Sequence, residues 1–227
     1  SAFKPVNVLK GNVSRGSKNT TTRSMLVVFQ FTNSIALIIA TFIIYRQVDY
    51  ILNKKVGFDK DQVLLIQGTG TLDKQIKTFK NELLQLSSVK SVTISDYLPI
   101  KGTKRNGNGF FKEGRSKVDK SVGGQMWRID HDYIKTMGMK LVGGRNFSEE
   151  MRTDSASIII NQAMAKQLGL NDPVGQRIMN WQVYNVIGVV EDFHFESLRE
   201  QIKPLAMILG EDSNIISVKI NSADMSS

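Results

Sequence analysis

The chain contains no cysteine. Disulfides and cysteine-ligated metal sites are therefore excluded, and the redox compartment stays open. Only two histidines occur, His131 and His194, so a metal site shared by both would need them to meet in space. Several signature loops are missing as well. "GTGTLDK" lacks the GK[ST] ending that holds nucleotide phosphates and magnesium, and neither G-x-S-x-G nor H-E-x-x-H occurs. Ser87 and Lys90 fit S-x-x-K, but the companion S-D-N and K-T-G elements are absent, so the match is read as chance. No catalytic, cofactor-binding or metal-holding set stands out. Acidic residues are missing before residue 25, where Lys4, Lys10, Arg15, Lys18 and Arg23 stand alone.

Charge of either sign is missing from "MLVVFQFTNSIALIIATFIIY", Met25 to Tyr45, in a chain whose mean hydropathy is slightly negative. At 1.5 Å per residue this run matches a bilayer core about 30 Å thick. A signal peptide has a shorter apolar core, typically about 7–15 residues, followed by a cleavage site. Here Arg46, Gln47 and Asp49 follow instead. The run is read as a transmembrane helix. Thr32, Ala36 and Ala40 recur every four residues and would let a second helix approach closely, while Gln30, Asn33 and Ser34 are expected to face helix partners rather than lipid. "RQVDYILNKKV", Arg46–Val56, keeps Val48, Ile51 and Leu52 apolar and holds no Gly or Pro, so the helix is expected to continue past the membrane as a stalk. The short basic segment 1–24 outweighs the charges after the span, which places it in the cytoplasm as a loop near anionic lipid and the large domain outside. The chain begins at Ser1 without an initiator Met and ends in "SADMSS", which is read as an excerpt of a longer protein.

Beyond the span there are 25 basic and 21 acidic residues. Lys101–Lys120 alone has seven basic residues and two acids, so the rest of the large domain is close to neutral. This is a local patch and not a nucleic-acid-binding face. "VLLI" at 63–66 is a compact strand. Leu72, Ile76, Phe79, Leu83 and Leu86 fall on one helical face, and "VKSVTIS" alternates as a second strand, giving a βαβ unit. Further strands are expected at Phe110–Phe111, "GGQMWRID", "SIIIN" and "WQVYNVIGVVEDFHF", and "KLVGGRNF" reads as a strand and turn. Short helices are expected at "HDYIKTMGM", stopped by Gly138, and "QAMAKQLGL", stopped by Gly169. "SLREQIKP" reads as a short helix or turn ended by Pro204. "NIISVKI", Asn214–Ile220, is a clean strand expected to rejoin the first sheet, making the middle an inserted β-rich lobe.

Two acidic clusters are candidate metal sites. On a strand, Asp192, His194 and Glu196 of "EDFHFE" would share one face and Phe193 and Phe195 the other. Period-two alternation with the phenylalanines inside explains this without a metal. "DHD", Asp130–Asp132, is accounted for by helix capping. Within the basic segment, Lys101, Lys104, Arg105, Lys112, Arg115 and Lys117 are candidates for contact with an anionic substrate, a lipid headgroup or an acidic partner, against the alternative of a solvated loop.

The ordered series of elements resembles the MacB/FtsX-type ABC transporter permeases. It is carried by "SAFKPVNVLKG", the span with "YRQVDYI", "GFDKDQVLLI", "RIDHDYIKTMGMKLVGGRNFS", "IIINQAMAKQLGLNDPVGQRI" and "VIGVVEDFHFESLREQIKP". The resemblance implies an α+β fold. One transmembrane helix and stalk (25–56) would follow a cytoplasmic loop (1–24) and lead to a periplasmic domain. That domain would have a βαβ porter-like subdomain (57–95 and 211–227) and an inserted sabre-like subdomain (96–210). It also implies the second repeat of a long bacterial inner-membrane permease. Its partners would be a separate cytoplasmic ATPase that binds the ATP, further transmembrane helices or a second permease copy, the lipid bilayer, and a periplasmic protein. The implied work is non-enzymatic: motion passed through the helix to the periplasmic domain for export, extraction or mechanical work. A membrane-anchored extracytoplasmic sensor or receptor is the alternative.

Overall fold

The computed structural model describes residues 17–53, 57–58, 62–99, 106–115, 118–197, 200–210 and 215–221. The chain divides into two units, Ser1–Lys54 and Lys55–Ser227. The first is built around one helix, α1 (Ser17–Asn53). Its 37 residues span about 55 Å at 1.5 Å per residue. Thr21–Ile51 is long and apolar enough to cross a membrane, and none of its most apolar window is buried in protein. An uncovered helix that is apolar on all sides is a poor guest in water and a good one in hydrocarbon. The helix starts inside the stretch read as a loop, because nothing between Ser17 and Met25 breaks it. It also runs on through Arg46–Asn53, where the Arg46 guanidinium sits 5.2 Å over the Phe42 ring. Residues 1–16 and the stalk's expected end at 54–56 lie outside the described residues.

In the second unit β1 (Val63–Gln67) and β2 (Val89–Ser95) flank β10 (Ile215–Ile220), which runs antiparallel to both. The last strand thus rejoins the first two, as expected of "NIISVKI". The crossover between β1 and β2 is a 3-10 turn (Thr69–Gln75) leading into α2 (Ile76–Leu84). Ile76, Val92, Ile94, Ile216 and Val218 form a small core, with Leu72, Phe79 and Leu83 packed against it. Leu86, expected on the same face, is 53% exposed because the helix has already ended.

The remaining strands make a larger lobe: β3 (Asn108–Lys112), β4 (Val122–Ile129), β5 (Leu141–Gly144), β6 (Ser157–Asn161), β7 (Arg177–Met179), β8 (Val183–Val190) and β9 (Leu205–Leu209). Following the pairings β4–β3–β7–β8–β6–β9 and back to β4 closes a ring of six hydrogen-bonded strands. β5 joins β8 on the side. The ring meets the small sheet at one ladder pair, Ser95↔Ile129. β6 and β9 are buried on both faces, so their sequences read as unbroken apolar runs rather than alternations. Ile158, Ile160, Ala206 and Ile208 enter one core, and Ile159, Leu205 and Met207 the other.

Two short helices cover the lobe, α3 (Tyr133–Thr136) and α4 (Gln162–Gln167), stopped by Gly138 at φ 62° and Gly169 at φ 64°. The strand expected to reach Phe195 ends at Val190. β9, directly after Pro204, and the three-residue β7 had no separate sequence expectation. Part of "SLREQIKP" lies outside the described residues, and 200–204 are neither helix nor strand.

Candidate functional site

The connection from β4 into α3 carries "DHD". The expectation that it caps the helix is corrected: Asp132 occupies the cap position but makes no side-chain cap bond. Both carboxylates turn instead toward Lys80 of α2. The Lys80 ammonium donates to Asp130 Oδ2 at 2.8 Å and to Asp132 Oδ2 at 2.6 Å. Asp130 also accepts from the Ile94 N–H at 2.8 Å, from the Asp132 N–H at 3.2 Å and from the Thr93 hydroxyl. Lys80 is 7% exposed, the most buried cation among the described residues. Burial alone would lower its pKa. The charge of Asp130 and the hydrogen bonds of both carboxylates outweigh that and raise it. His131 Nε2 lies 3.3 Å from Asp132 Oδ2 and 3.2 Å from Glu149 Oε1.

"EDFHFE" divides as alternation requires, though it is extended chain and not a strand. Phe193 and Phe195 are buried against Trp127, with ring centroids 6.0 and 5.2 Å away, and Tyr97 stacks on Trp127 from 6.1 Å. Phe58 meets Phe193 edge-on at 6.2 Å. Gly57, at φ 90°, passes so close that a Cβ there would stand 2.6 Å from Phe193 Cβ. Of the three polar residues, Asp192 accepts the Ala163 N–H of α4 at 2.8 Å and Glu196 pairs with Lys203. Burial pushes the Asp192 carboxyl up, the Glu191 charge adds to that, and the Ala163 bond opposes it. Among the described residues no group of three His, Asp or Glu side chains is placed to hold a metal ion.

Of the basic segment, Lys112 and Arg115 are described, and both are engaged locally. Lys112 donates to the Gly169 carbonyl at 2.9 Å, just past the end of α4, and Arg115 grips Asp119 with two bonds of 2.5 and 2.7 Å. Lys101, Lys104, Arg105 and Lys117 lie outside the described residues. On α1 the side chains of Gln30, Thr32, Asn33, Ser34, Ala36 and Ala40 are all exposed. The Ser34 hydroxyl donates to the Gln30 carbonyl at 2.9 Å and Thr41 to Leu37 at 2.8 Å, so these two hydroxyls are satisfied within their own helix.

Sequence reading singled out neither Lys80 nor a second buried pair. Asp154 is fully buried and takes Arg145 bidentately at 2.7 and 2.9 Å and the Ser148 N–H at 2.9 Å. The Arg145 bonds hold its carboxyl below the usual range despite its burial. A lysine one turn into a helix and an aspartate in a turn carry no pattern that announces burial. An open cleft of about 610 Å³ between β5 and α4, walled by Val142, Lys166, Leu170 and Val174, was also unsignalled. What the geometry offers is bracing: buried ion pairs that tie helices and turns to the strands.

A family model described as the MacB-like periplasmic core domain matches residues 24–220. Among solved structures, the chain is similar to the periplasmic region of MacB from Actinobacillus actinomycetemcomitans. The TM-score is 0.51 and the identity 19%, over 78% of this chain and 82% of that one. It is also similar to the extracellular domain of the noncanonic ABC-type transporter YknZ from Gram-positive bacteria. There the TM-score is 0.46 and the identity 19%, over 65% of this chain and 74% of that one. No curated protein matches the chain.

Proposed function

The chain belongs to the family of MacB-like periplasmic core domains, and on that premise we propose that it is the membrane-anchored head of an ABC transporter permease that does mechanical work outside the membrane. In this reading α1 crosses the inner membrane with its basic N-terminal segment in the cytoplasm. A separate ATPase binds and hydrolyses ATP there, and the helix carries the resulting motion to the head. The head then drives export, extraction or work on a periplasmic partner. The exposed face with Thr32, Ala36 and Ala40, together with Gln30, Asn33 and Ser34, packs against the other helices of the permease. Lys101, Lys104, Arg105, Lys112, Arg115 and Lys117 contribute a surface for a partner or substrate. β1, β2, β10 and α2 are the porter-like part, and the ring lobe the sabre-like part.

The observation that carries this reading is that one family match runs through both the apolar helix and the head, from residue 24 to 220. The physics agrees. A helix satisfies its own backbone and can cross lipid unbroken, and α1 runs to Asn53 with neither Gly nor Pro between Ser17 and that end. The test is the full permease reconstituted with its ATPase, carrying Ile51→Pro. A proline there removes a backbone bond and kinks the rod. The expected result is ATP turnover retained while work on the periplasmic side is lost. Unchanged work with a kinked helix would refute transmission through α1.

A further inference from the structure

Strand pairing between the small sheet and the ring lobe is short, and side chains carry the rest of the junction: Asp130, just past β4, accepts from Thr93 and Ile94 of β2, and α3 packs on β2. One ladder pair, Ser95↔Ile129, joins β2 to β4. Around it, the Asp96 N–H donates to the Arg128 carbonyl, the Asp130 N–H to the Ile94 carbonyl, and the Arg128 N–H to the Asp96 carboxylate at 2.9 Å. With a single ladder pair between the sheets, the rigidity of the junction rests on those side-chain contacts. Across that junction reaches Lys80, from a helix packed on the small sheet, to two carboxylates on the chain leaving β4.

We infer that Lys80, Asp130 and Asp132 form a latch that holds the small sheet rigid against the ring lobe and must open before the head can flex. The deepening rests on the permease reading, in which the head receives force. The two arms differ in how they can open. Asp130 is 13% exposed in its side chain and is bound by three further donors, so its arm is fixed. Asp132 is 35% exposed, and water reaches it. Its Oδ2 also has a second cation-capable neighbour in place, His131 Nε2 at 3.3 Å, on the side leading to Glu149. The outer arm is therefore the more open of the two, and its carboxylate touches Lys80 and His131 at once, so it can let go of Lys80 without disturbing the buried Asp130 arm.

The test uses two cysteines introduced into this chain, which has none of its own, with any cysteine elsewhere in the permease replaced. Thr78→Cys on α2 and Asn185→Cys on β8, both exposed, carry spin labels in the full permease, and pulsed dipolar spectroscopy reads the distance between them. The unsubstituted latch is expected to give one distance population. Lys80→Met is expected to add a second, and Asp132→Asn the same second population in smaller amount. Far-UV circular dichroism and limited proteolysis check that each variant is folded. Should Lys80→Met not fold, Asp132→Asn decides by itself. A folded variant of either kind that keeps the single original distance overturns the latch. That failure leaves the permease reading intact, because the coupling of ATP turnover to work is measured separately; loss of that coupling would leave the latch distances unchanged.

Discussion

Asp154→Asn tests the bracing of the ring lobe. The carboxylate is fully buried, forks onto Arg145 and accepts the Ser148 N–H. Its removal unties the turn at Arg152–Ala156 from the chain leaving β5. Breaking a buried pair by deleting one partner costs about 3–5 kcal/mol. Arg145 keeps 39% of its side chain exposed and regains water on release, so the lower end applies, about 3 kcal/mol. Asparagine preserves the volume, so no cavity adds to this. The pH dependence fixes the mechanism. The folded pKa of Asp154 is depressed below its ordinary value of 3.8. Its stabilisation is therefore present above 3.8 and disappears as pH falls through the lower, folded value. Urea unfolding followed by tryptophan emission is the assay, with Trp181→Phe as background so that buried Trp127 is the sole reporter. The gap between parent and variant should be about 3 kcal/mol at pH 7 and should close in strong acid. A gap below about 1 kcal/mol at pH 7, in the range of exposed pairs, or one that persists once Asp154 is protonated, refutes the reasoning.

Lys80→Met should cost about 3 kcal/mol at pH 7. Because the folded Lys80 pKa lies above 10.5, the gap to the parent should narrow only as pH rises past that value, which alkaline unfolding series will read. Asp192→Asn should be neutral or slightly stabilising at pH 7, since the amide still accepts the Ala163 N–H while a carboxyl raised by burial is removed. That advantage should vanish as pH falls through the raised pKa toward 3.8. Gly144→Ala should lower stability by about 3 kcal/mol or more, because φ is 71° and the new Cβ would stand 2.1 Å from the Ile187 carbonyl oxygen. Thermal unfolding of the variant beside Gly143→Ala, where a Cβ meets only Val174 at 3.8 Å, separates the clash from a general glycine effect.

The elements with a clean period were legible. Leu72, Ile76, Phe79 and Leu83 gave their helical face away, and Val92 and Ile94 their strand, because one side of each meets a core and the other meets water. β9 was not legible: "LAMIL" is apolar throughout, so no alternation marks it, and its parallel partner β4 lies far away in sequence. The alternation of Phe193 and Phe195 was read correctly, but its extension as a strand was not, since side-chain burial can alternate in an extended chain that lacks a ladder. At the candidate site the two aspartates were visible and their partner was not. Lys80 sits amid lysines and glutamates of an ordinary amphipathic helix, and only the tertiary fold brings Asp130 and Asp132 to it. A cap was the local solution, and a contact across the sheet displaced it.

Because β10 lies between β1 and β2, the small sheet cannot be assembled in the order in which it is synthesised. While the chain emerges from the translocation channel, β1 and β2 remain two strands with no common neighbour, and each presents an unpaired edge. The ring lobe, whose strands are all contained between Asn108 and Leu209, can close before the last strand arrives. Completing the three-stranded sheet then means bringing ends together across that whole lobe, a non-local and therefore slow step. A nascent head halted before Ile215 would carry a finished ring lobe beside two open β-edges, ready to pair with any other exposed strand.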